Sequence, residues 1–105
     1  MTFQVIRSAA FERDLDNFTA YTSAYSAEFA QEQFTRLNHV ISVELASAPA
    51  IWGVFFVTGA PYHAYLFRVG RRTAYWIVYT IDDTSKCVRL LRFWNSSRET
   101  QSFEI

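Results

Sequence analysis

The chain is short of most residues that announce a special class of protein. Its 105 residues include one cysteine, two prolines, three glycines and one lysine. A lone Cys87 excludes an intramolecular disulfide framework and any Cys-rich zinc site. Few Gly and Pro residues, with no biased tract or internal repeat, argue against disorder and against a repeat architecture. No apolar run reaches the roughly 20 residues of a spanning helix, and no basic start leads into a signal-like apolar stretch. We therefore expect a cytoplasmic globule with no membrane association, formed as a single domain over residues 1–105. The phosphate-cradling glycine loop, the Gly-x-Ser-x-Gly elbow and the His-Glu-x-x-His helix are all missing. Cys87, His39, His63 and the Asp82-Asp83 pair fit no metal-ligand spacing, so neither a metal nor another cofactor is expected.

Half of the residues are hydrophobic and 18% are aromatic, enough for a packed core, and the net charge is zero. That zero hides an asymmetry. Residues 1–59 carry three Arg and six carboxylates, net −3, while residues 60–105 carry seven basic and four acidic side chains, net +3. Nine of the ten basic residues are Arg, whose planar fork of donors suits phosphates and carboxylates.

Alternation over Thr2–Arg7 predicts a short first strand. Ser8 then stands as an N-cap before a helix whose apolar row is Phe11, Leu15, Phe18 and Thr22. Ser26 caps a second helix, in which Ala30, Phe34, Leu37, Ile41, Leu45 and Ala48 recur every three or four residues. Pro49 and Gly53 end it. From Val54 the period changes to that of strands: Val54–Thr58, Tyr62–Val69, Thr73–Ile81 and Cys87–Trp94, separated by short polar or Gly-containing turns. Short loops imply antiparallel neighbours. The expected fold is α+β: an N-terminal strand and a two-helix hairpin packed on a three- to four-stranded, mainly antiparallel sheet. Asn95–Ile105 reads as too short and polar to add to the core.

The chemistry-bearing residues lie in the sheet half. Strict alternation puts Arg89 and Arg92 on opposite faces of the last strand. Arg92, between Leu90 and Trp94, either packs its stem and meets a carboxylate or binds a phosphate or a partner's carboxylate. Arg68, Arg71 and Arg72 surround a turn and form either a solvated hairpin end or an anion-binding rim. Arg98 has the same two readings. His63, at a strand start between Tyr62 and Tyr65, is a structural residue first and a general acid or base second; His39 falls off the core row of its helix. Tyr62, Tyr65, Tyr75 and Tyr79 are core aromatics first and stacking surfaces second.

The order of a strand, a helical hairpin and an Arg-rich antiparallel sheet resembles the RelE/ParE superfamily of bacterial type II toxins. The resemblance spans nearly the whole chain. Its most specific part is Tyr65-Leu66-Phe67-Arg68-Val69-Gly70-Arg71-Arg72-Thr73-Ala74-Tyr75-Trp76-Ile77-Val78-Tyr79, an Arg-bearing strand, a Gly turn, and a strand ending in a hydrophobic-Val-Tyr triplet. The run from Val88 to Arg98 is similar to the family's last strand and the segment after it. The resemblance implies a growth-inhibiting toxin, held silent by a cognate antitoxin and touching operator DNA only through that antitoxin. It implies one of two targets: DNA gyrase, or the ribosome and its messenger RNA. A fold relative that lost toxicity and only binds its partner is the third reading.

Cleavage of RNA needs a base for the 2′-hydroxyl, cations for the pentacoordinate phosphate and an acid for the leaving oxygen. The candidate set is Arg68, Arg72, Arg92, Arg98, His63 and Tyr79. The ribonuclease branch places Lys and Arg on the central strands, a His after the last strand and a Tyr near the C-terminus. Here the only Lys is Lys86, in a turn; Trp76 precedes the Ile77-Val78-Tyr79 triplet; Asn95 replaces the His; and Phe103 and Glu104 occupy the tail. This depletion puts gyrase ahead of the ribosome and leaves enzymatic activity open.

Overall fold

The computed structural model describes residues 2–51, 54–57, 60–71 and 73–96. The chain starts with β1 (Gln4–Arg7), followed by α1 (Ala9–Ser23) and α2 (Ala27–His39). A π turn over Val40–Leu45 extends α2, and a single 3₁₀ turn follows at Pro49–Ile51. Four strands complete it: β2 (Val54–Val57), β3 (Ala60–Val69), β4 (Thr73–Asp82) and β5 (Cys87–Asn95). The sheet order is β1-β5-β4-β3-β2. β1 runs parallel to β5, and the other three pairings are antiparallel. The hairpin explains this order. It covers one sheet face and returns to β1, where Phe3 N donates to Ala46 O at 2.7 Å; the segment after it reaches the far edge, and the meander then comes back strand by strand to β5, beside β1.

Local chemistry sets the element ends. Ser8 Oγ accepts from Phe11 N at 3.1 Å, and Ser26 Oγ accepts from Phe29 N at 2.9 Å, so both expected caps satisfy an orphan amide of the first turn. At the β3–β4 turn Gly70 has φ +69°, a left-handed conformation that side chains resist. In the β4–β5 turn Asp82 Oδ1 accepts from Thr84 N and Ser85 N at 3.0 and 3.2 Å. The hydrogen bonds from Ser85 hold the Asp82 carboxyl below its ordinary pKa.

The main core joins Phe11, Leu15 and Phe18 of α1 and Leu37, Val40, Ile41 and Leu45 of the second helical segment to the covered sheet face. From that face come Phe67, Val69, Ile77, Tyr79, Val88, Leu90 and Phe93. The second helix departs from the expected row. Phe34 and Ala48 are only half-buried, while Gln33, Val40 and Ala46 are buried. The π turn adds a residue per turn and so rotates the buried face beyond Val40, moving burial from Ala48 to Ala46. Gln33 is tolerated there because its Oε1 accepts from Arg36 Nη1 at 2.7 Å. Thr22 is fully buried, with its hydroxyl donating to Phe18 O at 3.0 Å. Val78 and Trp94, with Tyr62 and Trp76 against them, make a second small cluster on the opposite sheet face.

Candidate functional site

β1 is four residues long and pairs with β5 only from Cys87 to Leu90. Beyond that point the edge of β5 is covered by the start of α1. Ser8 N donates to Leu90 O and Ser8 Oγ to Leu91 O, both at 3.0 Å. Asp14 takes over next: its Oδ2 accepts from Phe93 N at 3.0 Å. The same carboxylate receives the Arg92 fork, with Nε to Oδ2 at 2.7 Å and Nη2 to Oδ1 at 3.1 Å. The Arg92 guanidinium also lies over the Trp94 ring, 4.9 Å from its centroid. The two charged side chains are only 16% and 15% exposed. This is the carboxylate contact anticipated for Arg92, and it sequesters the charge within the molecule.

A register shift decides which way Arg92 leaves the strand. Tyr79 pairs with Leu90 and Val78 with Arg92, so Leu91 is an extra residue opposite a continuous β4. The bulge reverses the alternation. Val88, Leu90 and Phe93 face the helices, whereas Arg89, Arg92 and Trp94 belong to the other face by register. The expectation that Arg89 and Arg92 occupy opposite faces is therefore corrected, since strict alternation fails across a bulge.

The other candidates do not converge on Arg92. Arg68 is exposed near the end of β3, opposite Ala74, on the face that the helices leave open. His63 and Tyr79 pair across β3 and β4 and belong to the helix-covered face, where their rings stack at 5.5 Å and 22°. Tyr79 is fully buried, and its hydroxyl donates to Pro49 O at 2.6 Å. Burial raises its pKa far above the ordinary phenol value. Arg72 and Arg98 lie outside the described residues. No cluster of three or more His, Cys, Asp or Glu suited to a metal exists among the described residues. No helix among them is long and apolar enough to cross a membrane.

Two clefts flank the end of the sheet under the helical hairpin. One, of about 330 Å³, is lined by Asp14, Asn17, Tyr21, Tyr75, Arg92 and Asn95, among others. The second, of about 480 Å³, runs between the α1–α2 corner and the β3–β4 turn. Tyr21 and Thr73 line both. Tyr21 and Tyr25 remain 48% and 70% exposed at that corner. Their hydroxyls lie 3.2 Å apart, a hydrogen bond that raises the Tyr21 pKa. Neither Asp14 nor this aromatic corner stands out in the sequence. Asp14 reads as an ordinary acid of a first helical segment, and Tyr21 and Tyr25 straddle a helix break.

A helical hairpin laid across a mixed sheet that continues into an antiparallel meander is an arrangement with a counterpart among solved structures. Among solved structures, a chain of the toxin–antitoxin complex RelBE2 from Mycobacterium tuberculosis superposes with a TM-score of 0.62 at 18% identity, covering 90% of this chain and 99% of that one. The family model for the ParE toxin of the type II toxin–antitoxin system parDE matches residues 5–100. The chain thus belongs to the ParE toxin family and is a toxin of the type II toxin–antitoxin class. No curated protein matches it.

Proposed function

We propose that this toxin arrests growth by binding its target rather than by cutting RNA, that the target is DNA gyrase in the cytoplasm, and that a cognate antitoxin silences it. The supporting observation is the division of the candidate residues. Arg68 and Arg92 belong to one face, and His63 and Tyr79 to the other. A ribonuclease site needs its cations and its proton donor and acceptor around a single phosphate. The Arg92 charge is taken up by Asp14, and the Tyr79 hydroxyl is taken up by Pro49. Arg68 is, with Arg89, an exposed cation of the open face on which target contact is proposed, with Arg72 and Arg98 as further contributors. The antitoxin reading rests on family membership and on the complex in which the structural neighbour was solved.

Induction of the chain alone and with the product of the adjoining gene tests this reading. Growth arrest relieved by that product, with gyrase-linked DNA breaks and an SOS response, is the expected result. Phased cuts in ribosome-bound messages would show the ribonuclease reading to be right instead. Normal growth on induction of the chain alone would leave only a non-toxic binding module.

A further inference from the structure

The cleft of about 330 Å³ lies between α1 and the paired ends of β4 and β5, and it combines flat aromatic walls with carboxamides. Tyr75 stands on Phe93 in a parallel stack, with 4.6 Å between centroids and 3° between planes. Phe18 meets both rings edge-on, at 5.0 and 5.1 Å. This three-ring packing fixes the Tyr75 ring in the back wall. Tyr21, 48% exposed, supplies a second aromatic surface at the mouth. Asn17 enters the lining from α1 and Asn95 from the end of β5. The Asp14–Arg92 fork is also part of the lining. As a pair it is neutral, so it offers polar edges without selecting a charged ligand.

A ligand matched to this lining is flat, with a π face for the rings and a rim of donors and acceptors for the carboxamides. An aliphatic group would take water from the Asn17 amide without replacing its hydrogen bonds, which is the costly way to bury a polar group. A nucleobase meets both demands. Bases of any sequence stack on aromatic side chains. A carboxamide pairs with adenine through two hydrogen bonds, donating to N7 and accepting from the N6 amine. The volume, at the low end of the range of small-molecule sites, suits one base with part of its sugar. We infer that this cleft binds an adenine base, with Tyr21 stacking on its face and the Asn17 carboxamide pairing with its edge. The base arrives either on a free nucleotide or as an unstacked residue of a nucleic-acid strand. The site stands apart from the gyrase reading and does not depend on it.

The test titrates the full chain by calorimetry with deoxyadenosine monophosphate, deoxycytidine monophosphate and a short single-stranded oligodeoxyadenylate. The adenine mononucleotide should bind saturably, with a Kd below about 1 mM, and the cytosine one at least about fivefold more weakly. Asn17 is exposed within α1, where Ala is the stronger helix former, so Asn17→Ala is expected to melt no lower than the parent. It should erase the preference for adenine. Tyr21→Ala should weaken adenine binding by about fivefold or more, while Tyr21→Phe, which keeps the ring, should stay within about twofold. Gln31→Ala, an exposed position of α2 outside the lining, should also stay within about twofold. An oligodeoxyadenylate that binds more tightly than the mononucleotide, and is weakened by the same variants, assigns the base to a strand. Equal or weaker binding assigns it to a free nucleotide. No saturable binding of either adenine probe, equal affinity for the two mononucleotides, or affinities unchanged by Asn17→Ala and Tyr21→Ala would overturn the site. None of these results touches the gyrase reading, which growth arrest and DNA breaks decide.

Discussion

Removing Asp14 provides the sharpest test of how the hairpin is fastened to the sheet. Asp14→Ala leaves the Arg92 guanidinium, 16% exposed, without the carboxylate that holds it in a two-point fork. It also leaves Phe93 N without its acceptor. Breaking a fully buried pair from one side costs about 3–5 kcal/mol. The residual exposure and the remaining contacts of the guanidinium temper that cost, so about 3 kcal/mol is the expected loss. For a domain of this size that corresponds to a fall in Tm of about 12 °C or more. Arg92→Ala should cost less, about 2 kcal/mol, because Asp14 keeps the Phe93 amide while the packing on Trp94 is lost. A double-mutant cycle in urea should give a coupling of about 1.5–3 kcal/mol. Unlike a surface pair, the coupling should persist in about 1 M salt. A loss below about 1 kcal/mol for Asp14→Ala, or a coupling below about 0.5 kcal/mol, would refute the assignment of this pair as a structural clasp.

Three further outcomes are expected. Leu37→Ala, at a nearly inaccessible core position, should cost about 2–5 kcal/mol in urea unfolding, and Phe34→Ala less than about 2 kcal/mol because its ring is only half-buried. Tyr79→Phe should cost about 1–2 kcal/mol by orphaning the Pro49 carbonyl. The raised Tyr79 pKa contributes stability that is fully present below the ordinary phenol value and is lost as pH rises above it, so the difference between parent and Tyr79→Phe should shrink in alkaline melts. Gly70→Ala meets no neighbouring atom but must adopt φ +69°, and thermal melts should show a cost of about 1 kcal/mol, with Gly70→Asn milder.

What could be read from the residues, and what could not, follows from the range of the interactions involved. The caps at Ser8 and Ser26, the apolar row of α1, the turn at Gly70 and the order of strands all depend on groups within a few positions of one another. The expected α+β hairpin-on-sheet therefore matches the structure, with β1 as a fifth strand at the edge. The second helix was legible as amphipathic, but the π turn that moves burial from Ala48 to Ala46 was not, because the apolar spacing of three and four continues through it unchanged.

The candidate site was less legible for the same reason. Composition and order determined that the sheet half is Arg-rich and lysine-poor, and that ribonuclease chemistry has few side chains to draw on. Whether an Arg is available for binding depends on its neighbours in space. Asp14 lies 78 positions from Arg92, and the short β1, whose pairing with β5 stops at Leu90 and leaves the next edge to α1, brings them together. The bulge at Leu91 exists only as a mismatch between two paired strands, so one strand's alternation could not disclose it. The cleft at the aromatic corner likewise needs two turns, at Ser26 and at Gly70, brought to the same end of the sheet. Local backbone and capping preferences are written along the chain, whereas charge pairing, strand register and cleft shape arise from segments that meet only when the chain has folded.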